Sequence, residues 1–144
     1  MIDATIVCAK LAQLRERGRV LDELASEPQA TFVRDAIKVA AAERQLQVSI
    51  EICLDIGQHL IAGLGLPRPE EYRDVFRILG EHGVLSVDFA PRLGKMAGFR
   101  NRLVHAYAGI DPELVCDYLR HDRSDFVEFA RQIAAFLDSK TSGT

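Results

Sequence analysis

The sequence predicts an all-α fold, an up-and-down helical bundle of four to five helices, and three observations point to it. Apolar residues recur at three- and four-residue steps over most of the chain. No stretch of useful length alternates apolar and polar residues as a half-buried strand would. Glycine and proline cluster in few places, chiefly Gly63 to Pro69 and Gly80 to Gly83, leaving long helical segments joined by short connections. At 144 residues, 48% hydrophobic and 27% charged, the chain is sized for one compact domain. That domain is read as residues 1–139, followed by a frayed tail at 140–144.

The first helix spans about Ile2 to Ala25, where Ile6, Leu11, Leu14, Leu21 and Leu24 form the apolar stripe and Gly18 is the weak point. Ser26-Glu27-Pro28 ends it and starts the next, because proline is tolerated where a helix has no use for its missing N–H. The second helix reads as one long rod from Gln29 to about Ala62. It has two apolar sides, one including Val39, Ile52 and Ile56, the other Leu46, Ile50 and Cys53, so it should be central. A polar seam also runs along it: Arg44, Gln47, Glu51, Asp55 and Gln58 fall within a few tens of degrees at ~100° per residue.

After the loop at Gly63 to Pro69, a short helix carries Glu70, Glu71, Tyr72, Val75, Phe76, Ile78 and Leu79. The next begins near Ser86 or Asp88 and includes Gly94 and Gly98. Two interior glycines cost a helix about 2 kcal/mol relative to alanine, so they are expected to permit close approach by a neighbouring helix or a ligand. Gly109 suits the left-handed residue that closes this helix, and Asp111-Pro112-Glu113 starts the last, with an irregularity expected near Arg123-Ser124-Asp125.

Composition excludes several classes. No apolar run approaches the ~20 residues of a membrane helix, and the N-terminus lacks the pattern of a secretory signal, so a cytoplasmic protein is expected. Cys8, Cys53 and Cys116 are too scattered for a zinc site and read as buried reduced thiols. His59, His82 and His121 have no metal-ligand spacing, and no glycine-rich stretch completes a phosphate loop. Neither a metal nor a cofactor is expected.

Chemistry concentrates in Arg100-Asn101-Arg102-Leu103-Val104-His105-Ala106-Tyr107. From Pro91 to Ile110 there is no acid, whereas Arg92, Lys95, Arg100 and Arg102 supply +4 in a chain of formal net charge -3, leaving -7 elsewhere. A cationic island on an acidic background suits one face that meets phosphate. With Arg100 at zero on a helical wheel, Tyr107 falls at about -20°, Asn101 at about 100° and His105 at about 140°, a single broad face. Arg102 and Lys95 lie at its margin, near 200°, as flanking phosphate contacts, while Met96, Phe99 and Leu103 turn to the core. Arginine offers phosphate a permanently charged fork, and histidine can take and return a proton near neutral pH. Together they suit RNA cleavage by 2′-hydroxyl attack, with Asn101 in support. One motif histidine per chain is thin equipment for both acid and base, so a symmetric dimer is the economical solution. Asp35, Glu51 and Asp55 are the acids that could meet Arg100.

The pattern Arg-x4-His-x-Tyr at Arg100, His105 and Tyr107 resembles the signature of HepT-like proteins, a branch of the HEPN superfamily of all-helical, dimeric, metal-independent ribonucleases. The likeness extends to Ala41-Ala42-Glu43-Arg44-Gln45-Leu46-Gln47 with Ile56 and His59, to Pro69-Glu70-Glu71-Tyr72 with Phe76 and Leu79, and to Met96-Ala97-Gly98-Phe99 before the motif. It implies the toxin of a type VII toxin-antitoxin system, with a composite active site from Arg100 and His105 of both protomers. It further implies an MntA-like nucleotidyltransferase antitoxin that transfers AMP to Tyr107. Such AMPylation would put phosphate charge where substrate phosphate should bind. The alternative is a non-catalytic adaptor that uses the same basic face to bind a nucleotidyltransferase or nucleotide.

Overall fold

The computed structural model describes residues 1–105 and 109–142, and the described residues contain seven helices and no strand. Helix α1 (Ala4–Ala25) starts at Asp3, whose carboxylate accepts the backbone N–H groups of Thr5 and Ile6. A single turn, α2 (Gln29–Phe32), follows Pro28 and sinks Phe32 into the core. Helix α3 (Ala36–Leu64) is the 29-residue rod, closed by Gly65 at φ 68° with Leu66 N–H reaching back to the carbonyl of Ile61.

Helix α4 (Tyr72–Glu81) opens on a capping box between Glu71 and Asp74. Helix α5 (Ala90–His105) carries most of the basic island. Helices α6 (Pro112–Asp122) and α7 (Ser124–Ser142) complete the chain. Among the described residues α3 packs against α1, α4, α5, α6 and α7, which makes it the central helix that its two apolar sides predict. Ala42, Leu46, Ile50, Cys53, Ile56 and Leu60 of α3 are fully enclosed, meeting Phe76 and Leu79 of α4, Leu93 and Met96 of α5, and Phe129 and Ile133 of α7 in one core.

Local chemistry accounts for the departures from the expected elements. The rod expected from Gln29 is broken at Val33 to Asp35, because Asp35 caps α3 by accepting from Ile37 and Lys38 while Phe32 is buried ahead of it. The last helix divides at Arg123, where an irregularity is expected. Arg123 Nε donates to Asp22 of α1 at 2.9 Å and its Nη1 reaches the carbonyls of Leu119 and Arg120. Helix α5 begins at Ala90, later than expected, after a turn on the Ser86 carbonyl that Gln132 of α7 pins through the Ser86 N–H at 2.8 Å. Lys140 and Thr141 continue α7, within the stretch read as tail.

The glycines exchange roles. Among the described residues a Cβ at Gly94 or Gly98 would meet nothing within 4 Å, so neither serves a close contact there. The tightest approaches are at Gly57, where a Cβ would fall 2.5 Å from Val75 Cγ1, and at Gly80, where it would fall 2.7 Å from Ala90 Cβ. These are the places where α4 closes on α3 and on the start of α5. Cys53 and Cys116 are buried as expected; Cys8 is exposed, because it falls off the Val7, Leu14, Leu21 stripe of α1.

Candidate active site

Three helices supply the site. Helix α5 buries Met96, Ala97 and Phe99 and thereby turns Gly98, Arg100, Asn101 and His105 away from the core. The α3 seam contributes Glu51, Gln47 and Gln58. The loop before α4 contributes Pro69, Glu70 and Glu71, and α4 itself contributes Tyr72 and Arg73. Gln58, Pro69, Glu70, Glu71, Tyr72, Arg73, Gly98, Arg100, Asn101 and His105 line one groove of about 730 Å³. Of the expected site residues, Arg100, Asn101 and His105 are therefore brought together.

Arg100 is the best-held member of the groove. Its Nη2 donates to Glu51 Oε1 at 3.2 Å, and Gln47 Nε2 donates to the same oxygen at 3.2 Å. Its Nη1 donates to Asn101 Oδ1 at 3.3 Å, and its Cζ lies 4.9 Å from the centroid of the Tyr72 ring. The Arg100 Nε is buried with no hydrogen-bond partner among the described residues. A guanidinium has five N–H groups. With Nε enclosed and one N–H of each terminal nitrogen engaged, one N–H on each of Nη1 and Nη2 is left, so the end of the fork is what a phosphate would meet. Asn101 thus acts on the arginine. His105 is exposed in the last turn of α5.

The three candidate acids separate cleanly. Glu51 meets Arg100. Asp35 is committed to capping α3, and Asp55 is exposed and pairs with Lys10 of α1 at 3.6 Å. Arg102 is exposed and does not line the groove. Lys95 lies in a separate, smaller recess with Arg92, Tyr118, Asp122 and Asp125. There Arg92 pairs with the buried Asp125 at 2.9 Å, and burial together with Asp125 raises the Asp122 carboxyl above its ordinary value. Burial also raises the Tyr118 phenol, whose ring stacks on Phe99 at 3.9 Å behind the motif. Tyr107 lies outside the described residues, whereas Gly109 takes φ 88°, a left-handed conformation. Tyr72, like its neighbours Pro69, Glu70, Glu71 and Arg73, is a groove residue that sequence reasoning missed. It read as part of the apolar face of α4, and only its position at the helix start, ahead of that face, could have set it apart.

Among the described residues no group of three or more His, Cys, Asp or Glu side chains is arranged to hold a metal ion, and no helix is long and apolar enough to cross a membrane. Comparison with known proteins decides the family: residues 12–133 match the family described as Ribonuclease HepT-like. The chain belongs to it. HepT-like relatives include the mRNA nuclease HepT of Shewanella oneidensis, 32% identical over 90 residues that make up 62% of this chain and 68% of that protein. Another is the tRNA nuclease HepT of Aphanizomenon flos-aquae, 30% identical over 95 residues, 66% of this chain and 65% of that one. The HepT-like fold extends further than those alignments. The tri-AMPylated Shewanella oneidensis HEPN toxin, solved in complex with MNT antitoxin, superposes with a TM-score of 0.83 at 27% identity, covering 94% of this chain and 99% of that one.

Proposed function

We propose that this chain is a HepT-like toxin, an endoribonuclease that needs no metal, whose active site is completed when two copies pair. The observation that carries the reading is the convergence of Arg100, Asn101 and His105 on one groove, with Arg100 oriented by Glu51. The nuclease activity named for the two HepT relatives and the antitoxin complex of the Shewanella toxin support it.

In the proposed reaction a histidine removes the ribose 2′-hydroxyl proton as the oxygen attacks phosphorus, and the P–O5′ bond breaks as a proton reaches the leaving oxygen. The products are a 2′,3′-cyclic phosphate and a 5′-hydroxyl. His105 of the two protomers divides the base and acid duties, and the Arg100 forks stabilise the added negative charge on the phosphorane oxygens. Arg102 and Lys95 remain outer electrostatic contacts for RNA, Lys95 from beyond the groove. Residues 1–139 act as a single catalytic unit in the cytoplasm. A nucleotidyltransferase antitoxin silences it by transferring AMP from ATP to the Tyr107 oxygen with release of pyrophosphate, which adds phosphate charge to the motif.

Incubation of the purified chain with RNA in EDTA, beside Arg100→Ala and His105→Ala, tests the reading. Cleavage to cyclic-phosphate ends by the parent and its loss in both variants is the expected result. Unchanged cleavage in the variants rules out this site. No cleavage by the unmodified dimer favours the non-catalytic adaptor.

A further inference from the structure

Tyr72 does not sit as a structural tyrosine usually does. The ring of Tyr118 is half-buried and lies parallel to Phe99, 8° from coplanar, so one of its faces is used inside the fold. Tyr72 is 41% exposed, lies on the wall of the Arg100 groove, and has the guanidinium 4.9 Å from its ring centroid. Its position is firmly set. It is the first residue of α4, immediately after Glu71, whose side chain is tied into the capping box and to Arg73 Nε at 2.7 Å; Pro69 stiffens the approach.

We infer that Tyr72 is a stacking shelf for a nucleobase of single-stranded RNA, placed so that a base on the ring delivers its neighbouring phosphate to the free end of the Arg100 fork. This rests on the nuclease reading and adds to it a substrate subsite. The guanidinium lies over one face of the Tyr72 ring, so an unpaired base stacks on the opposite face, since every base offers a π-face and carries its backbone phosphate alongside. The groove, at about 730 Å³, is within the ~300–1,000 Å³ of sites that enclose small organic ligands. Gly98 leaves its floor open, because nothing stands within 4 Å of where a side chain would begin. Gln58, exposed and also lining the groove, offers an amide NH2 as donor and a carbonyl oxygen as acceptor to a base edge. Stacking selects single strands over duplexes and is tolerant of sequence, so the shelf makes exposed loops and ends the preferred targets.

The test measures binding of two fluorescent oligoribonucleotides of equal length, one intact and one with abasic residues, to the His105→Ala protein, with cleavage followed separately in the parent. With Tyr72 in place, the intact strand binds on the order of tenfold or more tighter than the abasic one. Adding Tyr72→Phe keeps that preference, since the π-face remains, whereas adding Tyr72→Leu removes it, so that the two strands bind alike. A Tyr72→Leu variant that retains the full preference overturns the shelf. Equal binding of both strands with Tyr72 in place, while the parent still cleaves RNA, overturns the shelf alone. Binding of neither strand together with absent cleavage overturns the nuclease reading as well.

Discussion

Arg100 Nη2 stands 3.2 Å from Glu51 Oε1, joining the middle of the central helix to the motif on α5 across 49 positions of sequence. The pair is partly shielded, with the arginine side chain 18% exposed and the glutamate 35% exposed, so its main effect is on where the guanidinium points rather than on stability. Glu51→Ala is expected to lower RNA cleavage by about 10- to 100-fold, the range of a lost charge-assisted hydrogen bond of ~1.5–3 kcal/mol. Glu51→Gln, which keeps an acceptor, should recover part of it. Single-turnover cleavage rates check this, and equal rates for parent and Ala variant would remove Glu51 from the site.

Gly57 and Gly98 predict opposite outcomes for the same substitution. At Gly57 an added methyl meets the fully buried Val75 at 2.5 Å, and overpacking of ~1–3 kcal/mol outweighs the ~1 kcal/mol gained in helix propensity. Gly57→Ala should therefore lower the denaturation midpoint. At Gly98 nothing is met, so Gly98→Ala should raise the midpoint by ~0.5–1 kcal/mol of stability while narrowing the groove and slowing cleavage. Denaturant titration of both variants, with cleavage assays on the second, checks the pair.

Asp122 predicts a pH dependence. Burial, chiefly, and Asp125 raise its carboxyl pKa above 3.8, against Arg92, His121 and Lys95, which lower it. An acid raised on folding makes the folded state bind more protons, so it weakens the fold as pH rises from about the unfolded value of 3.8 through the raised one. Asp122→Asn removes that penalty. The variant should melt higher than the parent at pH 7, and the gap should close in acid below the unfolded value. A gap independent of pH would assign the effect to something other than this charge.

Thiol chemistry should count one reactive cysteine. Cys8 is exposed, whereas Cys53 and Cys116 are buried and burial pushes the Cys53 thiol well above its ordinary range. Native protein is expected to release one equivalent with a disulfide reagent and three after unfolding. Three fast equivalents from native protein would contradict the packing of α3 and α6.

What sequence made legible was local. Pro28 and Asp111-Pro112 mark helix boundaries through their own backbone chemistry, the glycines and prolines of Gly63 to Pro69 mark the end of α3 to within two residues, and the Arg100 to His105 face follows from one helix's geometry. Asp35 was not legible as a cap, because the apolar periodicity runs on through it and only burial of Phe32 makes the break worthwhile. The choice among Asp35, Glu51 and Asp55 depends on how α3 is rotated against α5 and α1, and Lys10 takes Asp55 out of contention. The roles of Gly57 and Gly80 rest on α4, which no pattern within α3 or α4 alone reveals.

The shared hold on Arg100 by Glu51, Asn101 and Tyr72 has a thermodynamic consequence for encounter with substrate. A free arginine side chain loses ~2 kcal/mol of rotamer entropy when it is fixed. Here that loss falls within the folding of the chain, and an arriving phosphate meets a cation whose orientation has already been chosen. In the proposed nuclease, binding free energy that would otherwise be spent on ordering the arginine is left to favour the transition state.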